Sequence, residues 1–280
     1  MAIPQRPSTM VVQPPVAQPN NKIVSFTKVT KSKAGQRIVL YGPGGVGKST
    51  LACMASELGP CAFIDADESL GKLRGQLEAQ DIELPNLVPA NNWETLRDAL
   101  QSSGWDGVKN IILDAWPPIE LWAMRYTLQK TLKDGGKFAK SIEDYGFGKG
   151  YRHVYDTFLP LLGDLDAHMR AGRNIIIIGH DETSKVPNPA GTDYIRWEPK
   201  MQNTPNASIR YRMKEWADHV LFLTYQTSVA TEGPDANKAK GAGFRIMYTA
   251  ELPHFMAKSR TTSADILIEK GISPWSQIIK

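Results

Sequence analysis

Gly42, Gly47, Lys48 and Ser49 stand at the spacing Gly-x-x-x-x-Gly-Lys-Ser within Gly42-Pro43-Gly44-Gly45-Val46-Gly47-Lys48-Ser49-Thr50. Each residue type has a mechanical use at that spacing. Glycines let the backbone curl until successive N–H groups point at one centre, a nest that suits a phosphate. The lysine carries positive charge to the outer phosphates, and the serine hydroxyl is a hard oxygen ligand for the accompanying Mg²⁺. The flanks agree: Arg37 to Tyr41 is a short apolar strand entering the loop, and Ser49 to Leu58 reads as a helix stopped by Gly59-Pro60. The pattern therefore predicts ATP, with Mg²⁺, along residues Gly42 to Thr50.

A metal-bound triphosphate also needs an acidic side chain at the tip of a second buried strand. Asp114 closes Asn110-Ile111-Ile112-Leu113 and suits Mg²⁺ held through water. Hydrolysis further needs a carboxylate to orient the attacking water. Asp65, Asp67 and Glu68 follow the strand Cys61-Ala62-Phe63-Ile64; Asp67 is the first candidate and Glu68 the second.

The elements that must carry these residues alternate. After the strands ending at Tyr41, Asp65 and Asp114 comes a fourth at Asn174 to Gly179, an isoleucine run typical of a strand covered on both faces. Helices are expected over Trp93 to Leu100 with Asn92 as cap, Ile119 to Leu132, Tyr151 to Arg170 and Ser208 to Trp216. Further strands are expected at His219 to Thr224, Phe244 to Thr249 and Ala264 to Glu269. This predicts an α/β fold: a mainly parallel central sheet with helices on both faces and extra strands near the C-terminus. Residues 1 to 20 hold five prolines and several glutamines and read as a disordered tail, leaving 21 to 280 as one ATP-binding domain.

Composition narrows the remaining classes. With 280 residues and 41% hydrophobic content the chain can bury a large core, and a net charge of +4 permits nucleic-acid contact without demanding it. The two cysteines, Cys53 and Cys61, form no CxxC or Cys/His cluster, which speaks against zinc and disulfides and for a cytoplasmic setting. No apolar run approaches the ~20 residues needed to span a bilayer.

Cys61 to Asp67 resembles the RecA-type recombinases, whose second strand ends in the same way before a catalytic carboxylate. That resemblance assigns the carboxylate to Asp67, where RecA proper has glutamate, and puts His180 at the sensor position that usually holds glutamine. The layout is also similar to phage-encoded RecA-core ATPases linked to single-strand annealing and recombination. The shared landmarks are the GPGGVGKST loop, Tyr145-Gly146-Phe147-Gly148-Lys149 before a helix, and Gly179-His180-Asp181-Glu182, spanning about residues 35 to 262. Lys258-Ser259-Arg260 resembles the Lys-x-Arg element by which RecA-like subunits reach a neighbour's γ-phosphate, which makes Lys258 and Arg260 nucleotide contacts in a homo-oligomer. A likeness to the ParA/MinD partition ATPases stops at Pro43, where those proteins carry a signature lysine.

RecA-core proteins bind single-stranded DNA through loops after their third and fourth core strands. The matching stretches here contain Lys137, Lys140 and Lys149, then Arg196, Lys200, Arg210 and Arg212, interleaved with aromatics such as Phe138, Phe147, Trp197 and Tyr211. Cations neutralise phosphates and aromatic faces stack unpaired bases. The resemblance thus implies a DNA-stimulated ATPase that binds single-stranded DNA and promotes annealing or strand exchange. It also implies an oligomer, a single-stranded-DNA-binding protein as possible partner, and the host cytoplasm if phage-encoded. A replicative helicase-like or loader ATPase, a small-molecule kinase and a non-hydrolysing binding module stay open as alternatives.

Overall fold

The computed structural model describes residues 28, 33–229 and 239–280, with side chains over 33–226 and 243–280. The expected tail, residues 1 to 20, lies outside the described residues.

The chain opens on β1 (Arg37–Gly42), whose residues after Arg37 are all buried. The phosphate-type loop follows, then α1 (Lys48–Cys53) and a 3₁₀ turn at Met54–Leu58. The expected single helix is therefore split, and Gly59, at φ 127°, ends it. Next come β2 (Cys61–Asp65), α2 (Leu70–Glu78) and the two-residue β3 (Asn86–Leu87). α3 (Trp93–Gln101) starts as expected at Asn92, whose side chain accepts from the Thr95 N–H while Thr95 reciprocates. β4 (Asn110–Asp114) leads to α4 (Trp116–Lys130), which begins earlier than expected because Pro117 and Pro118 occupy its first turn, where a missing N–H costs nothing.

The Gly/Lys-rich stretch holds a small antiparallel ribbon, β5 (Leu132–Lys133) with β6 (Lys137–Phe138), and a 3₁₀ turn before α5 (Lys149–Arg170). β7 (Asn174–Val186) runs well past its isoleucine core and pairs with β8 (Tyr194–Pro199) as a hairpin. The ribbon of β9 (Asn203–Thr204) and β10 (Ala207–Ser208) precedes α6 (Ile209–Trp216). Then follow β11 (His219–Val229), β12 (Ala239–Tyr248), β13 (Ile266–Ile268) and α7 (Trp275–Ile278).

The main sheet runs β13-β12-β11-β1-β7-β4-β2-β3. From β11 to β3 the pairings are parallel, whereas the extra C-terminal strands, expected without a direction, are β12 and β13 paired antiparallel. Alternate residues of the parallel strands feed two cores. Val39, Tyr41, Ile64, Ile111, Leu113, Ile175 and Ile177 pack toward α3, α4, α5 and α6. Ile38, Leu40, Phe63, Ile112, Ile176 and Ile178 pack toward α1, with Trp275 of α7. The order matters for chemistry: β7 lies between β1 and β4, so His180, its last residue paired with β1, falls between the glycine loop and Asp114.

Candidate nucleotide site

The loop Gly42 to Ser49 hangs from the C-terminal end of β1. A Cβ on Gly42 would come 2.0 Å from the carbonyl oxygen of Leu223, so glycine is what lets β1 and β11 stay adjacent there. Gly45 and Gly47 adopt φ of 77° and 90°, a left-handed conformation in which a side chain would be strained. Val46 between them is buried and anchors the loop in the core. The Lys48 ammonium folds back to donate to the carbonyls of Gly42 at 2.8 Å and Pro43 at 2.9 Å. Burial lowers its pKa, opposed by the charges of Asp181, Asp114 and Asp67.

A cleft of ≈ 310 Å³ opens beside this loop, and Lys48, Ser49, Asp67, Asp114 and His180 all line it. The sequence candidates for phosphate, metal, water and sensor thus converge from β1, β2, β4 and β7. Asp114 is buried, and burial pushes its pKa up to about 6; the Ser49 hydroxyl pulls against the rise, Asp67 and Asp65 add to it, and Lys48 opposes it. Its Oδ2 is buried with no hydrogen-bond partner. An orphaned carboxylate oxygen beside a serine hydroxyl fits Mg²⁺ chemistry, with Ser49 as direct ligand and Asp114 holding a metal-bound water. When bound, Mg²⁺ would neutralise charge on the phosphate oxygens.

The acidic cluster after β2 divides its labour. Asp65 accepts the N–H groups of Ser69 and Leu70, both at 2.9 Å, and so caps α2. Asp67 presents an exposed carboxylate to the cleft, while Glu68, at φ 52°, is exposed and outside the lining. Of the two proposed water-orienting residues the geometry favours Asp67. His180 has its pKa lowered by burial and by Lys48, against the pull of Asp67 and Asp181, which favours its neutral imidazole.

Several site residues left no sequence signal. Gln76 of α2 lines the phosphate cleft and also a neighbouring cleft of ≈ 340 Å³ reached past Gly45, Gly47 and Thr50. Arg245 of β12, Tyr225 of β11 and Lys270 wall that second cleft. Arg245 donates to the Val46 carbonyl at 3.2 Å, and the Tyr225 hydroxyl to the Gly45 carbonyl at 3.4 Å.

Elsewhere the structure redirects the expectations. Arg196 and Arg210, read as DNA contacts, are 9% and 3% exposed. Arg210 bonds Glu198, Glu182 and the Ser184 hydroxyl, and Arg196 bonds Glu198 and Glu251, so both guanidinium groups hold the β7–β8 hairpin to its surroundings. Lys137, Lys140, Lys149, Lys200 and Arg212 are exposed. Lys258, read as a nucleotide contact, donates to the carbonyls of Lys214, Glu215 and Ala217 and caps the end of α6. Arg260 is exposed and pairs with Asp218, which also binds Arg37 at the start of β1. That is the opposite end of the strand from Gly42, about 17 Å away along six residues. Both cysteines are buried and free, their thiols pushed up to about 12 by burial. Among the described residues no helix is long and apolar enough to cross a membrane.

Among solved structures the chain is similar to the flagellar accessory protein FlaH from Methanocaldococcus jannaschii, at 10% identity over 84% of each chain with a TM-score of 0.39. No curated protein matches. A family model described as an AAA domain matches residues 34–261, which takes in the glycine loop, Asp67, Asp114, His180 and Arg260. This chain belongs to that AAA-domain family of P-loop ATPases.

Proposed function

We propose that this chain hydrolyses Mg²⁺-bound ATP in the cleft beside Gly42–Ser49 and uses the turnover on single-stranded DNA, promoting annealing or strand exchange. The observation that carries the ATPase half is the convergence of Lys48, Ser49, Asp67, Asp114 and His180 on one cleft. The Lys48 ammonium trades loop carbonyls for the outer phosphates. Asp67 accepts a proton from the attacking water. Neutral His180 donates a hydrogen bond toward the phosphate and reports its presence to β7. The neighbouring cleft past Thr50, walled by Tyr225, Arg245 and Gln80, takes the base and ribose.

The DNA half is supported by exposed Lys137, Lys140 and Lys149 beside exposed Phe138 and Phe147, and by exposed Lys200 and Arg212 beside Trp197 and Tyr211. The two stretches adjoin: the Gln202 amide donates to the Tyr151 carbonyl at 2.9 Å, and Arg152 to the Asn206 carbonyl at 3.2 Å. Arg260 pairs with Asp218 far from its own loop, so a contact between Arg260 and a γ-phosphate would require a neighbouring subunit, and the proposal includes that homo-oligomer. The test is anisotropy of a labelled oligonucleotide across a salt series, with ATP turnover measured with and without the strand. Affinity that falls as salt rises, together with faster turnover, is expected. No binding at low salt would sink the DNA half.

A further inference from the structure

A third cleft, of ≈ 400 Å³, opens beside Pro43 of the glycine loop, and Asp114 is not among its lining residues. It is lined by Trp197 of β8, Phe222 and Tyr225 of β11, Tyr248 of β12, and His254 and Phe255. Its floor is a run of stacked rings. Tyr41 stacks on Phe222 at 4.9 Å, and Tyr248 stacks on Phe255 at 4.2 Å with 28° between planes. The floor rings Phe222 and Phe255 are buried, whereas Trp197 and Tyr225 stand 42% and 44% exposed at the rim. Among the described residues no lysine or arginine lines this cleft, and Asp181 supplies a carboxylate to it.

We propose that this cleft is a stacking site for an unpaired nucleobase, with preference for one that carries an exocyclic amino group. Three features select that ligand. Flat aromatic walls without a cation repel a phosphate but offer faces to a planar ring. The Asp181 carboxylate only accepts hydrogen bonds, so it favours a ring edge bearing N–H groups and disfavours a carbonyl edge. The volume suits one base with part of its sugar.

The cleft also touches the nucleotide site at three points. Pro43 lines it, and the Pro43 carbonyl holds the Lys48 ammonium. Tyr225 reaches the Gly45 carbonyl. Consecutive strand residues point to opposite sides, and on β7 His180 faces the phosphate cleft while Asp181 faces the aromatic one. Asp181 is also the leading charge acting on Lys48. A base seated there presses on the same loop that holds the phosphates.

The proposal rests on the single-strand reading above, and the test separates the two. The probes are oligodeoxycytidine, oligothymidine and an abasic deoxyribose-phosphate strand of equal length, titrated against wild type, Trp197→Ala, His254→Ala and Lys137→Ala/Lys140→Ala. Wild type is expected to bind oligodeoxycytidine roughly ten-fold more tightly than the abasic strand, with oligothymidine between them. Trp197→Ala should lose most of that margin while still melting cooperatively; His254→Ala should lose part of it. Equal binding of intact and abasic strands by wild type, or an undiminished margin in both aromatic variants, overturns the cleft assignment. Equal binding of the two bases overturns the role given to Asp181. The lysine variant should weaken all three strands alike, and wild type that binds none of them removes the single-strand reading itself.

Discussion

The backbone N–H of Asp67 donates to the carbonyl oxygen of Asp114 at 3.2 Å, tying the tip of β2 to the tip of β4 at the phosphate cleft. Two carboxylates thereby enter one cleft at a set spacing, Asp114 buried and Asp67 exposed. The buried one suits a metal-bound water; the exposed one can receive a proton and pass it to solvent.

Substitutions in the acidic cluster should separate chemistry from binding. Asp67→Asn is expected to lower kcat by roughly 10²–10⁴-fold, the usual worth of a general base, with ATP affinity unchanged. Glu68→Gln should change kcat less than about three-fold, because its side chain lies outside the lining. Steady-state turnover with nucleotide binding measured in parallel checks both; a larger loss at Glu68 would exchange the two roles.

Asp114 makes the nucleotide-free protein pH-sensitive. Burial holds its folded pKa at about 6, well above the ordinary 3.8 of an aspartate. The folded state therefore binds the proton more tightly, so this contribution to stability is fully present below pH ~4 and lost as pH rises through ~6. Asp114→Asn should accordingly raise the Tm of the nucleotide-free protein at pH 8, by a few degrees for an effect on the order of 1–3 kcal/mol. The same substitution should abolish Mg²⁺-dependent turnover. Thermal melts of both proteins at pH 5 and pH 8 test this, and a variant less stable than wild type at pH 8 would refute it.

The buried ion network should behave as structure. Arg210→Ala leaves Glu198 and Glu182 without their shared cation, a loss of about 3–5 kcal/mol that lowers Tm by roughly 10 °C. Arg212, exposed and paired loosely with Glu215 at 3.6 Å, should lose less than about 0.5 kcal/mol as Arg212→Ala while weakening DNA binding at low salt. Melting curves and anisotropy together decide; a stable Arg210→Ala protein would return that residue to the DNA surface.

Lys258 and Arg260 should part company in the same way. Lys258→Ala removes three hydrogen bonds from the end of α6 and should cost about 1–3 kcal/mol of stability. Arg260→Ala should keep stability but slow ATP turnover at protein concentrations where subunits associate. Turnover per subunit measured against concentration for wild type and Arg260→Ala checks this, and parallel curves would remove Arg260 from the nucleotide site.

Much of the nucleotide site was legible in the sequence because its parts are short and local. A glycine loop after an apolar strand, and acids closing Ile64 and Leu113, need no long-range information. The parallel sheet followed from strands that alternate with helices, while the strand order left no mark in the sequence. α2 was missed because Gly71 and Gly75 weaken its helical signal. The far half of β7 was missed because Asp181 to Val186 pairs with β8 away from the core and carries no apolar run. Arg196 and Arg210 looked like surface cations because Glu182, Glu198 and Glu251, which neutralise them, meet only in three dimensions. Arg245 and Tyr225 were invisible for a related reason: antiparallel pairing of β11 with β12 brings them to the loop.

The most direct test of the account is ATP hydrolysis by wild type and Lys48→Ala, with nucleotide binding followed alongside. Removing the ammonium that now bonds the Gly42 and Pro43 carbonyls should cut turnover by at least about 100-fold, the scale of a charge acting on the transferring phosphate, in a protein that still melts cooperatively. A folded Lys48→Ala protein that hydrolyses ATP at the wild-type rate would contradict the central claim.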